Sequence, residues 1–266
     1  LCDRRQRQMC IRDRTIVAAI MNSINGFSYV YSRKKVDFYH SLPVKRSRMF
    51  WNRVYTGLLY YLVPYMIMEF FAVCIGAAKG FFSLKLMELA ARLLLVHLLL
   101  YFLFYFSIVL AFCVTGNFLM GVLCLAGMQL YGPALGILMS FCAYGFFDTF
   151  SSNYPYGIFK ALEDYASPIT LTAAFWQKYE AGQGAALAAV LFVLTLIFTA
   201  VSYFAYIHRP SEAAGKPMVY GKLAAVIKFM VVVPCGMGTG FVFYLIPTSH
   251  ARNIWLSLIH ISEPTR

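Results

Sequence analysis

Residues 91–114 read ARLLLVHLLLYFLFYFSIVLAFCV, and after Arg92 no Asp, Glu, Lys or Arg interrupts this run. It exceeds the roughly 20 mostly apolar residues that an α-helix needs to cross a bilayer. Four further blocks of this kind occur, at 55–78, 118–146, 185–207 and 223–246. The chain is 61% hydrophobic and 13% charged, whereas soluble domains carry about 25% charged residues. These features predict an all-α, polytopic transmembrane helix bundle.

A shorter apolar block covers residues 15–31 and is interrupted by Asn22, Ser23, Asn25 and Gly26. We interpret it as the tail of a first helix, so the predicted bundle has five full spans plus a partial N-terminal one. In this division residues 15–54 hold the partial helix and a basic segment, and residues 55–255 form the transmembrane domain.

The two ends of the chain differ in character from the rest. Residues 1–14 read LCDRRQRQMCIRDR and residues 256–266 read LSLIHISEPTR. Both resemble translated sequencing-adapter DNA, so we set them apart from fold reasoning as artefacts. We therefore expect the natural protein to be longer.

The net charge of +12 first suggests a nucleic-acid partner. We reject that partner because many of the basic residues lie in short segments between apolar blocks. Segment 31–53 and loop 208–222 hold ten Lys and Arg, while the loops on the other side hold five. The positive-inside rule then predicts that segment 31–53 is cytoplasmic.

The second outer loop, residues 147–184, is too long for a tight turn and too polar for a span. We expect short amphipathic or re-entrant helices at the outer interface, with a plain solvated loop as the alternative. In the first case aromatic rings would lie near the lipid headgroups, namely those of Tyr154, Tyr156, Phe175, Trp176 and Tyr179.

Segment 31–53 reads YSRKKVDFYHSLPVKRSRMFWNR. Basic residues flank a mixed core, and Pro43 ends any helix that forms there. One interpretation is a short surface helix whose aromatic residues contact a partner while its cations face anionic lipid. The other is a basic loop with no partner.

The run FSYVYSRKKVDFYHSLPVKRSRMFWNR (27–53) resembles the cytoplasmic segment after the first helix of bacterial ABC transporter permeases of the type-2 exporter superfamily. The run HRPSEAAGKPMVYGKLAAVIKF (208–229) resembles their loop before the sixth helix. The resemblance implies a multi-pass protein of the bacterial cytoplasmic membrane, paired with a second permease copy or a paralogue. It also implies a coupling helix that docks on an ATP-binding subunit, with contact candidates Lys35, Asp37, Phe38, Tyr39, His40, Ser41, Leu42 and Pro43.

No Walker A pattern, GxxxxGK[ST], occurs in the chain. Lys216 precedes Pro217 and Lys222 precedes Leu223, so neither glycine–lysine pair presents the hydroxyl that binds magnesium. ATP hydrolysis is therefore expected on a separate chain, and we expect no enzymatic activity, cofactor or metal here.

Two glycine motifs lie inside the apolar blocks. The position of Gly236-Met237-Gly238-Thr239-Gly240 in such a block favours a flexible or closely packed point in a helix over a nucleotide-binding loop. The GxxxG of Gly132 and Gly136 suggests close helix packing.

Three ionisable residues lie inside the apolar blocks: Glu69, His97 and Lys228. Intramembrane charges are costly and are candidates for functional sites. Glu69 and His97 fall at similar depths on neighbouring helices, so a contact between them is possible. This supports an alternative function, a secondary transporter that uses both as a proton relay. The simpler interpretations are a neutral, hydrogen-bonded Glu69 and a Lys228 that extends to the membrane surface.

Overall fold

The structure is a computed structural model that describes residues 2–80, 83–146, 157–180 and 182–245. Within these ranges the side chains of 2–13, 86, 144–146, 180, 222–224, 226, 230 and 243–245 are not described. The described residues form nine α-helices and no strands. The helices are α1 (Cys2–Phe27), α2 (Arg33–Ser41), α3 (Arg46–Ala78), α4 (Leu84–Val114), α5 (Phe118–Phe146), α6 (Gly157–Tyr165), α7 (Pro168–Glu180), α8 (Ala185–Ile207) and α9 (Gly221–Leu245).

Four helices in the described part of the chain are long and apolar enough to cross a membrane. They cover Arg46–Ala78, Met87–Val114, Phe118–Ala143 and Ala185–Ile207. The chain is thus an all-helical protein with several potential membrane spans, as its composition predicts. The predicted block 223–246 falls on α9, whose apolar stretch Ile227–Val242 is shorter.

The described chain divides into two compact units. The first contains α1–α4, the start of α5 to Leu125, and α8 with the loop that follows it to Val219. The second contains α5 from Ala126, together with α6, α7 and α9.

Helix α4 is the core of the first unit and packs against α1 and α8. It is apolar on all sides, which is the pattern of a buried helix. All of its aromatic rings except that of Phe102 are at most 3% exposed, and Tyr101 and Tyr105 stack at 5.6 Å between centroids. Helix α3, in contrast, leaves most of its apolar surface uncovered.

Helix α1 continues to Phe27, so residues 15–27 of the interrupted apolar block are helical as predicted. The side chains of Asn22 and Ser23 are satisfied inside the bundle. The Asn22 amide donates to the Gly57 carbonyl over 3.0 Å, and Tyr101 donates to the same oxygen over 2.7 Å. Ser23 donates to the Ala19 carbonyl over 2.7 Å. Through these hydrogen bonds Asn22 links α1 to α3 and α4.

In the second unit α5 lies very close to α6 at the predicted GxxxG. A Cβ added to Gly132 would lie 2.6 Å from the Cβ of Ala166, and one on Gly136 would lie 2.9 Å from the amide nitrogen of Glu163. The predicted close packing is confirmed. The glycine-rich GMGTG stretch is continuous helix within α9, and a side-chain carbon on Gly236 or Gly238 would meet no atom within 4 Å.

Helices α6 and α7 confirm short helices for 157–180 of the outer loop. Of the rings expected near the headgroups, that of Phe175 is enclosed by the protein and only 1% exposed. Its ring packs against Trp176 and Tyr179, at 5.8 and 5.5 Å between centroids. Tyr154 and Tyr156 lie outside the described residues.

Candidate functional site

The predicted surface helix exists as α2, Arg33–Ser41, and it ends just before Pro43. The residue before a proline is pushed out of helical geometry, and Leu42 is indeed extended, with φ −69° and ψ 140°. The basic segment is therefore not one element. Its first part consists of the end of a 3-10 turn (Ser28–Tyr31) and α2, and its last part, residues 46–53, belongs to α3. The predicted domain boundary between residues 54 and 55 therefore falls inside a helix.

Helix α2 has an inner and an outer face. On the inner face Val36 is 4% exposed, and Tyr39 and His40 are half-buried. On the outer face Phe38 is 62% exposed, which is unusual for so large an apolar ring. The remaining contact candidates are all exposed, namely Lys35, Asp37, Ser41, Leu42 and Pro43. The structure thus separates the eight predicted contact residues into six that are exposed and two that are half-buried on the inner face.

The inner face of α2 is held to α3 by Arg53. Its guanidinium lies 5.1 Å from the ring centre of Tyr29 and 4.9 Å from that of Tyr39. The two tyrosine rings are themselves 4.8 Å apart. Arginine over an aromatic face is favourable, and more so when water is excluded. The Tyr29 hydroxyl is also hydrogen-bonded to that of Tyr206 on α8, so one cluster links α2, α3 and α8.

Arginines also bind the main-chain oxygens at the ends of the neighbouring helices. Arg46 donates to the carbonyls of Ile207 and Arg209, over 3.1 and 2.9 Å, and thereby caps α8. Arg33 of α2 donates to the carbonyl of Ala214 over 3.1 Å. A cation at a helix C-terminus pairs with the unsatisfied carbonyls there and with the negative end of the helix dipole.

Arg209 has the most enclosed of these guanidinium groups and is 7% exposed. It donates to the carbonyls of Phe112, Cys113 and Thr115 at the end of α4, over 2.7–2.8 Å. Its other terminal nitrogen donates to the Val30 carbonyl over 3.1 Å. One side chain thus connects the end of α4 with the turn that leads into α2.

The loop after α8 pairs with the hairpin between α4 and α5. The amide of Gly215 donates to the Gly116 carbonyl over 2.7 Å, and that of Val219 donates to the Val114 carbonyl over 2.9 Å. Tyr31 donates to the Thr115 hydroxyl over 3.1 Å, because that hydroxyl already donates to the Ala111 carbonyl. The ends of α1, α4 and α8 and the beginnings of α3 and α5 therefore meet in one fixed polar layer, which we call the α2 end of the first unit.

His40 faces a small enclosed space of about 10 Å³ beside Tyr29, Val36, Tyr206 and Arg209. Burial and the charge of Arg46 lower the pKa of this imidazole below its usual 6.5, and Asp37 acts in the opposite direction. The neutral form is therefore favoured in the folded protein.

The predicted contact between Glu69 and His97 takes an indirect form. The Tyr65 hydroxyl lies 3.4 Å from Nδ1 of His97, and that same nitrogen lies 2.7 Å from the Leu93 carbonyl. Glu69 follows Tyr65 by one helical turn on the same face of α3. Among the described residues its Oε2 has no hydrogen-bond partner. Tyr65 therefore stands between the two predicted polar residues, while Lys228 is exposed on α9 of the second unit.

Comparison with known proteins gives no match, either to a protein-family model, to a curated protein or to a solved structure. The function must therefore be argued from the chain itself. The residues that sequence reasoning missed are Arg209, Arg53 and Tyr29. Their roles depend on backbone carbonyls and rings that are far apart in the chain, which leave no local pattern.

Proposed function

We propose that the chain is the membrane-spanning permease subunit of an ATP-driven exporter, and that α2 couples it to a separate ATP-binding subunit. In this proposal α9 and α1 add a fifth and a partial span to the four long apolar helices. The α2 end faces the cytoplasm of a bacterial cell, and a second permease copy or a paralogue completes the transport path.

The observation that carries the proposal is the two-sided character of α2. Its outer face presents Phe38, which is 62% exposed, beside the charges of Lys35 and Asp37, and Leu42 directly after the helix is 40% exposed. An exposed apolar group within a polar rim is typical of a protein contact. A surface helix whose outer face contacted only water would not need exposed apolar side chains there.

The inner face supplies the connection that coupling requires. Arg33 joins α2 to the loop after α8, Arg53 joins it to α3, and Arg209 joins the preceding turn to the end of α4. A push on α2 is therefore transmitted to three apolar helices through short hydrogen bonds and ring contacts. Such contiguous packed contacts are the physical means by which motion passes between two sites.

Copurification tests this proposal. The full chain would be co-expressed with the ATP-binding protein encoded beside its gene, and residues 37–43 would be replaced by a Gly/Ser linker. We expect the linker variant to lose the ATP-binding subunit, and retained binding would refute the coupling assignment. A matched pair sharpens the test: Phe38→Asp should abolish binding, whereas Leu84→Asp should not. Leu84 is 89% exposed at the other end of α4.

One observation favours a second candidate, a proton-coupled secondary transporter. Tyr65 lies between His97 and Glu69, and the latter carries an unsatisfied buried oxygen. A chain of groups that exchange protons inside an apolar helix pair is typical of proton relays. Three observations would favour this candidate over the exporter. Transport would persist without ATP, it would stop when the proton gradient is dissipated, and it would be lost in the variant Glu69→Gln.

A further inference from the structure

An open groove of about 520 Å³ lies along the first turns of α3. It is distinct from the outer face of α2 and plays no part in the proposed coupling. Basic, small polar and aromatic side chains line it: Lys45, Ser47, Arg48, Trp51, Asn52 and Tyr55.

The cations around this groove fall into two groups. Arg46 and Arg53 are used inside the protein, the first on the carbonyls at the end of α8 and the second between two tyrosine rings. Lys45 and Arg48 are exposed, and within the described part of the chain the side chain of neither makes a hydrogen bond or an ion pair. These two positive charges are therefore free to bind an anion from outside.

The order of residues along α3 matches the layers of a membrane surface. Lys45 and Arg48 come first, the rings of Trp51 and Tyr55 follow at 6.3 Å between centroids, and exposed Leu59 comes next. At a rise of ~1.5 Å per residue, Arg48 and Leu59 are separated by roughly 16 Å along the helix. The headgroup layer on each side of a bilayer is about 5–7.5 Å thick. In a bilayer whose headgroups lay at Lys45 and Arg48, the rings of Trp51 and Tyr55 would lie where interfacial aromatics collect, and Leu59 beyond the groove would reach the hydrocarbon.

We propose that this groove binds an anionic phospholipid. Lys45 and Arg48 neutralise the phosphate, and the amide of Asn52 donates a hydrogen bond to it. The rings of Trp51 and Tyr55 pack beside the glycerol region, and one acyl chain lies along Leu59. The Ser47 hydroxyl is already hydrogen-bonded to Tyr203 over 2.9 Å, so it holds α3 against α8 rather than binding the lipid.

Native mass spectrometry of the purified full chain tests this site. The protein would be titrated with phosphatidylglycerol and with phosphatidylcholine, and bound lipid would be counted. At about fivefold for each cation that contacts the bound lipid, Lys45→Gln/Arg48→Gln should weaken phosphatidylglycerol binding roughly 30-fold. Binding of phosphatidylcholine should change little. The control Lys34→Gln/Lys35→Gln removes the same charge from exposed positions on α2, outside the groove, and should have less than about a twofold effect.

Other outcomes would overturn the proposal. Equal weakening by both double variants would show general attraction by positive charge instead of a site. Displacement of the lipid by inorganic phosphate alone would show a site for free phosphate. Loss of the ATP-binding subunit with unchanged lipid binding would make the groove a protein contact. Arg48→Lys keeps the charge and should keep the binding, which separates loss of the site from loss of folding.

Discussion

Arg209 donates a hydrogen bond of 2.8 Å to the main-chain oxygen of Thr115, the residue that follows α4. The donor and the acceptor are 94 residues apart in the chain. This bond and its neighbours let one guanidinium satisfy the end of the most buried helix and hold the loop after α8 against it. The α2 end of the first unit is thus a single hydrogen-bonded layer, and this is why α2 has a rigid base.

Arg209→Met should destabilise the protein strongly. The substitution leaves several buried carbonyls without a donor, and loss of a buried charged hydrogen-bonding group costs about 3 kcal/mol. For a chain of this size that corresponds to a fall of roughly 6–12 °C in the midpoint of thermal unfolding. Arg48→Met is the matched control, because Arg48 is exposed. Equal midpoints for the two variants would contradict the structural role of Arg209.

Gly116→Ala should disrupt the pairing of the α4–α5 hairpin with the loop after α8. A Cβ at this position would lie 2.1 Å from the carbonyl oxygen of Ala213 and 2.3 Å from that of Lys216. Both obstacles are backbone atoms, so the loop must move away. We expect reduced thermal stability and faster proteolysis of the loop. Gly127→Ala, where nothing lies within 4 Å, should be neutral or stabilising by up to about 1 kcal/mol. An unchanged midpoint in Gly116→Ala would refute the close approach.

Val36→Ala and Phe38→Ala should separate the two faces of α2. Val36 is 4% exposed, so its truncation removes two buried methyl groups and should cost about 2 kcal/mol of stability. Phe38 is mostly exposed, so its truncation should leave the unfolding midpoint almost unchanged while weakening capture of the ATP-binding subunit. Thermal unfolding and copurification measured on both variants would show this crossover. Loss of stability in Phe38→Ala would mean that the outer face is already covered.

The stability of the protein should fall as the pH drops through the region just below 6.5. The folded protein holds the pKa of His40 below its unfolded value of 6.5, by burial and by Arg46. The unfolded chain therefore binds more protons in that window, so stability is present above pH 6.5 and is lost as the pH falls. His40→Gln should reduce the slope in the region just below pH 6.5. Parallel thermal-unfolding profiles for the wild type and the variant would contradict this.

The long apolar helices could be predicted from the sequence because a bilayer span depends on length and composition alone. The start of α3 was harder to predict. Its first turns carry Arg46, Arg48 and Arg53, which belong to the surface by composition although the helix is continuous through them. The end of α2 could also be predicted, since Pro43 imposes it locally.

The polar layer at the α2 end could not be predicted in this way. In the sequence Arg209 resembles any other basic loop residue. Its partners are backbone oxygens, which every residue has, so no residue type in the sequence indicates them. The hydrogen bonds of Asn22 could not be predicted either. A polar residue in an apolar block looks like an interruption until the carbonyl of Gly57 and the hydroxyl of Tyr101 are found beside it.

Site-specific photocrosslinking tests the coupling role of α2 most directly. Benzoylphenylalanine would replace Phe38 in one protein and Leu84 in another, and each full chain would be irradiated with the co-expressed ATP-binding subunit. Both positions are exposed, and they lie at opposite ends of the first unit. We predict a covalent adduct with the ATP-binding subunit from position 38 and none from position 84. A complex that copurifies but gives no adduct from position 38, or gives equal adducts from both, would contradict the proposed coupling.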